Sequence, residues 1–157
     1  MNSIWKARLP IPHSDSIQPT QPLDTANKDI MRKRLGAMGE EMACSLLRER
    51  GFEILDRNYR SSHREIDIIC RDGQDLRFVE VKARREPMEG EAWEAVTVAK
   101  QRRIASAAGA YLRGPRLREL GFRPDEYHFD VVTIVWNEDG DQCSREYIPD
   151  AYTLIYA

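Results

Sequence analysis

The sequence predicts an α/β domain in the order helix, three strands, helix, two strands: an αβββαβ core with an added C-terminal strand, built as a mixed central sheet flanked by helices. Three observations carry this. The runs Glu65-Ile66-Asp67-Ile68-Ile69 and Phe78-Val79-Glu80-Val81-Lys82 alternate apolar with charged residues, and between them stands Arg71-Asp72-Gly73-Gln74, a turn with Asp-Gly at its centre. Apolar residues at helical spacing precede this hairpin and follow it. A last alternating run, His128 to Trp136, leads through Asn137-Glu138-Asp139-Gly140-Asp141 into a short final strand.

Residues 1–28 hold Pro10, Pro12, Pro19 and Pro22 among Ser, Gln, Thr and Asn, and are read as a loose N-terminal tail before a single domain at 29–157. The first helix starts near Asp29 or Arg32 and ends at Arg50, where Gly51 stops it. Its stripe is Leu35, Met38, Met42 and Leu46, with Ala43 and Leu47 beside it. Phe52 to Arg60 reads as the first strand. The hairpin follows, then a charged loop from Ala83 to Glu91 in which Arg84 and Arg85 are phosphate anchors or plain solubilising charge.

The second helix runs from Thr97, a capping residue, to Arg113, and Gly114-Pro115 stops it. Lys100 and Gln101 extend its inward stripe at the helix start, where free N–H groups favour anions; Arg102 and Arg103 form its flank. Residues 114–127 read as a basic linker that orders on binding. In the strand from His128, Phe129, Val131, Thr133 and Val135 share one face and Asp130, Val132, Ile134 and Trp136 the other.

The hairpin puts ionised groups where a sheet prefers apolar ones, and an unpaired buried charge is costly. If the register brings the faces together, Asp67, Glu80 and Lys82 form one cluster at an edge of the sheet. Two carboxylates, a backbone carbonyl and waters suit Mg²⁺ or Mn²⁺. The Lys82 ammonium would then hold a water or offset the charge of a pentavalent phosphate. The plainer alternative is an ion-pair network in which Lys82 neutralises Asp67 and Glu80.

The chain has 157 residues and a net charge of −2, so composition gives no global nucleic-acid signal. Locally, Lys100, Arg102, Arg103, Arg113, Arg116, Arg118 and Arg123 are opposed only by Glu119. That run reads as a phosphate-contacting patch or a solvated helix face. Cys44, Cys70 and Cys143 are widely separated, without a Cys-x-x-Cys pattern, and read as free buried thiols in a reducing cytoplasm. Neither a membrane-crossing run nor a signal-peptide core is present in the sequence.

Asp67 followed by Glu80-Val81-Lys82 resembles the PD-(D/E)xK nuclease superfamily. Gly36-Ala37-Met38-Gly39-Glu40, Gly51-Phe52-Glu53-Ile54-Leu55, Asn58-Tyr59-Arg60, Glu65-Ile66-Asp67, Lys100-Gln101-Arg102-Arg103 and Phe129-Asp130-Val131-Val132 together resemble the YraN-like family of small bacterial proteins. That resemblance covers about residues 33–155. It implies a restriction-endonuclease-like fold, similar to archaeal Holliday-junction resolvases, and a Mg²⁺ or Mn²⁺ site. It implies Asp67, Glu80 and the Val81 carbonyl as metal ligands, Lys82 as positioner of a water, Glu40 at a second metal or its water, and Gln101 and Lys100 as assistants. It further implies a nuclease acting on DNA, branched or junction DNA included, or a non-catalytic nucleic-acid-binding module that keeps the fold. Cutting a junction symmetrically would favour a homodimer. Arg60, Arg64, Arg84, Arg85, Lys100, Arg102 and Arg103 are the candidate nucleic-acid contacts. Arg64 stands where the family usually has Gly. Asp130 is expected to be a structural hydrogen-bonder.

Overall fold

A computed structural model describes residues 25–86 and 96–153. Of the tail expected at 1–28, residues 1–24 lie outside the described residues and 25–28 belong to the first helix; of the charged loop expected at 83–91, residues 83–85 belong to a strand and 87–91 lie outside the described residues. The elements are α1 (Thr25–Glu49), β1 (Glu53–Ser61), β2 (Arg64–Asp72), β3 (Asp75–Arg85), α2 (Val98–Arg113), α3 (Arg116–Glu119), β4 (Tyr127–Trp136) and β5 (Cys143–Ile148). The αβββαβ order and the terminal strand stand as read from the sequence. The first helix begins at Thr25, earlier than expected.

The five strands form one mixed sheet in the order β1-β2-β3-β4-β5. All neighbours are antiparallel except β3 and β4, which run parallel, Phe78 opposite Phe129. A parallel pair needs a long crossover, and α2 lies in it. Thr97 caps α2 by accepting the Lys100 N–H at 3.2 Å, and the Gly114 N–H closes its last turn on Ala110 and Tyr111.

Each face of the sheet carries its own core. Against α1 pack Ile68, Cys70, Val79, Val132, Ile134 and Trp136, with Ala43, Cys44 and Leu47 from the helix. Against α2 pack Ile66, Ile69, Leu76, Phe78, Phe129 and Val131, with Ile104, Ala107, Ala108 and Tyr111. Burying a large apolar side chain contributes roughly 1.5–3 kcal/mol, so both helices are held by burial. All three cysteines are free and buried, and burial pushes their thiols up.

The expected linker at 114–127 is ordered instead. It contains α3, buries Leu117 and Phe122, and ties Arg116 to Asp56 at 2.9 Å. Asp130 is fully buried and bonded to Tyr147 at 2.7 Å, to the Asp150 N–H at 2.9 Å and to Arg77 at 3.2 Å, the structural role expected.

Candidate active site

A fork in the sheet builds the site. The β2–β3 ladder runs from Asp72↔Asp75 to Ile68↔Val79 and ends there, while β2 continues beside β1 and β3 beside β4. Ile66 faces α2 and Ile68 faces α1, although residues two apart on a regular strand share a face. The alternation therefore breaks at Asp67. Across from it on β1, between the pairs Arg57↔Ile68 and Tyr59↔Ile66, stands Asn58 at a positive φ of 50°.

In the fork, Asp67 Oδ2 accepts the Val81 N–H at 2.8 Å, replacing the lost ladder bond. The N–H and C=O of one strand residue project to the same side, so the Val81 carbonyl is directed into the same gap. Glu80 is 5% exposed. Its Oε1 is 3.3 Å from Lys82 Nζ and 3.2 Å from Lys100 Nζ, while its Oε2 is buried with no hydrogen-bond partner. Burial first, then the charge of Glu80, push Asp67 up to about 7, against the pull of the Val81 N–H and Lys100. The buried Tyr152 hydroxyl also lacks a partner, and burial and the negative charge of Glu80 raise it.

Glycine brings the helix to this point. A Cβ on Gly39 would stand 2.5 Å from the Ala83 Cβ, so only Gly lets α1 approach β3 this closely. Glu40 is delivered to the rim of the fork, and Asn58 Nδ2 holds its Oε2 at 3.0 Å. A cleft of about 280 Å³ results, lined by Arg32, Leu35, Gly36, Glu40, Asp67, Glu80, Val81, Lys82, Ala83 and Arg84.

Asp67, Glu80, Lys82 and Glu40 thus meet in one cleft, with Lys100 on Glu80. They lie in the interior of the sheet rather than at its edge, since β3 is the middle strand. Gln101 turns elsewhere and donates to the Val96 carbonyl at 2.9 Å, closing the start of α2. Arg85 donates to the Glu138 carbonyl at 2.9 Å and so faces the β4–β5 turn. Arg60 pairs with Glu65 at 3.4 Å; Arg64, Arg102 and Arg103 are exposed. Arg64 takes a regular ladder position opposite Ser61. Sequence reading missed Arg32 and the grip of Asn58 on Glu40. The Asn58-Tyr59-Arg60 triplet was the available signal for the second, and nothing in the helical pattern marked the first.

Among the described residues no three His, Cys, Asp or Glu side chains close on one point. Asp67 and Glu80 nonetheless fit a divalent cation. One carboxylate resists ionisation and the other carries an unpartnered buried oxygen, and a cation relieves both. With the Val81 carbonyl they make an all-oxygen donor set, as Mg²⁺ or Mn²⁺ requires.

A mixed sheet clasped by two helices, forked around an Asp, a Glu and a Lys, defines an α/β protein with a nuclease-like core. Residues 39–134 match the model of the uncharacterised protein family UPF0102, and the chain belongs to that family, the YraN-like one. A UPF0102 protein of Dictyoglomus turgidum is 41% identical over 120 residues, covering 76% of this chain and 98% of the relative. One of Syntrophus aciditrophicus is 43% identical over 123 residues, covering 78% and 91%. One of Syntrophotalea carbinolica is 43% identical over 123 residues, covering 78% and 94%. Among the described residues no helix is long and apolar enough to cross a membrane.

Proposed function

We propose that this protein is a Mg²⁺- or Mn²⁺-dependent nuclease that hydrolyses phosphodiester bonds of DNA, branched or junction DNA included. The observation that carries this is the Glu80 carboxylate: buried, held by two ammonium groups through one oxygen, and unpartnered at the other. Asp67, Glu80 and the Val81 carbonyl would hold the ion. When bound, it would polarise the phosphoryl oxygen and lower the pKa of a water.

The chain's own groups supply the rest. The Lys82 ammonium, on the strand next to Glu80, orients a water for in-line attack and offsets the negative charge that grows on the phosphorus oxygens. Lys100 holds Glu80 in place through its 3.2 Å contact. Glu40, fixed by Asn58, accepts a hydrogen bond from water in the cleft. Arg84 at the cleft, and Arg64, Arg102 and Arg103 beyond it, contribute phosphate contacts. Symmetric incision of a junction would require two copies of the chain.

A second reading has its own observation. Lys82 is 3.3 Å from Glu80, so the charges also satisfy one another as a structural ion pair in a nucleic-acid-binding module that cleaves nothing. Cleavage of labelled single-stranded, duplex, flap and four-way-junction DNA decides between them, run with Mn²⁺, Mg²⁺ or EDTA. The nuclease cuts with metal, stops with EDTA, and loses at least about a hundredfold in rate in Glu80→Ala and Lys82→Ala that remain folded. Binding without cutting establishes the module; cutting that survives both substitutions rules this site out.

A further inference from the structure

The cleft over the fork has a second population of charge that the ion site leaves unused. Arg32 of α1 and Arg84 of β3 both line it, beside Glu40, Asp67, Glu80 and Lys82. Among the described residues neither guanidinium has an acidic partner. Other arginines that border the sheet do: Arg57 with Glu41, Arg71 with Glu53, Arg77 with Asp130, Arg116 with Asp56 and Arg145 with Glu49. The overhang of α1 is equally unexplained by packing. Residues 29–34 are all exposed, and the helix joins the core only from Leu35 onward. A helix extended past its last core contact gains little stability from propensity alone. This extension carries Arg32 to the cleft.

From these observations we infer that Arg32 and Arg84 form a two-guanidinium clamp for a backbone phosphate of a nucleic-acid strand lying in the cleft between α1 and β3. The inference rests on the phosphodiesterase reading and adds where the strand is gripped. The charge balance supports it. Four bases (Arg32, Lys82 and Arg84 lining the cleft, and Lys100 on Glu80) meet three acids there (Glu40, Asp67, Glu80). A divalent cation on the acids would add to that excess and leave the two arginines without compensation. A phosphodiester supplies what they lack, and the planar guanidinium matches phosphate oxygens two at a time. The arrangement separates two tasks: Asp67, Glu80 and Lys82 address the phosphate that reacts, and Arg32 with Arg84 address one beside it.

The test is binding of short labelled single-stranded DNA and RNA of one sequence, across a salt series with Mg²⁺ present, in a Lys82→Ala background that blocks cleavage and keeps both Asp67 and Glu80. Arg32→Ala and Arg84→Ala are each expected to weaken binding several-fold on both nucleic acids. Removing both lowers the slope of log affinity against log salt by about 0.7, the share of one phosphate contact on a single strand, and each single variant lowers it by part of that. The double variant should lose less than the product of the two single losses, because both groups grip one phosphate. Arg84→Lys, which keeps charge but not the planar fork, retains the salt slope and recovers part of the affinity. It also guards against a folding defect at this half-buried position. Arg48→Ala, an exposed arginine in the last turn of α1, binds as the parent does.

Parent binding with unchanged affinity and slope in both arginine variants overturns the clamp and leaves the nuclease reading standing. Loss on DNA alone or on RNA alone also overturns it, since a backbone phosphate is common to both. Failure of the Lys82→Ala parent to bind, and of the wild-type protein to bind or cut, any nucleic acid with Mg²⁺ present removes the phosphodiesterase reading and the clamp with it.

Discussion

At the scale of single residues, Asp67 is the group whose state governs the rest. Its carboxyl ionises near 7 in the fold, against an ordinary value of about 3.8. The folded chain therefore holds a proton between these values that the unfolded chain has released. Stability of the metal-free protein falls as pH rises from about 4 to about 7, and levels off above that. Asp67→Asn keeps an oxygen for the Val81 N–H and has no proton to lose. It should flatten this slope and raise metal-free stability at pH 8 by about 1–3 kcal/mol, read by denaturant unfolding at pH 5 and pH 8. An unchanged slope would place the titration elsewhere. Glu80→Gln moves stability the other way, because Lys82 and Lys100 would then share a buried site without their anion. A loss of about 1–3 kcal/mol is expected on the same measurement. Asp67, Glu80 and Lys82 were legible in the sequence because strand alternation exposes a charge among Ile and Val, and Lys100 because it extends the inward stripe at the start of α2. Arg32 was not, since an arginine on an exposed helix turn looks like any solvated charge until the strand it overhangs is known. Arg85 and Gln101 looked like site residues on spacing, yet the β4–β5 turn and the Val96 carbonyl claim them.

At the scale of elements, the approach of α1 to β3 decides whether Glu40 reaches the fork. Gly39→Ala forces a methyl group into the Ala83 side chain. It should destabilise by about 1–3 kcal/mol and lower activity beyond what the stability loss explains, because Glu40 is displaced. Adding Ala83→Gly should recover much of both, measured by thermal melts and cleavage rate on the four proteins of the cycle. Additive losses would show that the contact is not the cause. On the other face, Tyr111 of α2 donates to Asp56 at 2.6 Å, and Arg116 meets the same carboxylate. Tyr111→Phe leaves Asp56 one partner short and should cost about 1–2 kcal/mol without changing metal binding. The helices and strands were read within a few residues because their apolar periods are strong and their stops chemical: Gly51, Thr97, Gly114. The α3 turn was missed because four residues are too few to show a period. Only burial of Leu117 and Phe122 gives it a reason to form. The length of β3 was hidden by its last residues, Arg84 and Arg85, whose charge reads as loop.

At the scale of the whole molecule, the two helices cover opposite faces of one sheet, and the fork is where the two halves communicate. The αβββαβ order was legible, and so was the family. The neighbour order of the strands was not, since only the α2 crossover, seen in place, sets β4 beside β3. Nor could the sequence show that the acids sit inside the sheet, because that depends on where β2 leaves β3. Charge is divided as the chain suggested, near neutral overall and locally basic along α2 and α3.

The measurement that tests the central claim most directly is calorimetric titration of Mn²⁺ into the wild-type protein and Glu80→Gln, at pH 6 and pH 8. On the proposed reading, the wild type binds one ion through Asp67 and Glu80. Affinity should rise between the two pH values, about tenfold per unit while Asp67 must lose its proton, and level off above 7. Glu80→Gln should bind at least tenfold more weakly. Saturable binding that is indifferent to pH and to Glu80→Gln, or none in a folded wild-type protein, would contradict the claim. The cluster would then be an ion-pair network holding the fork together.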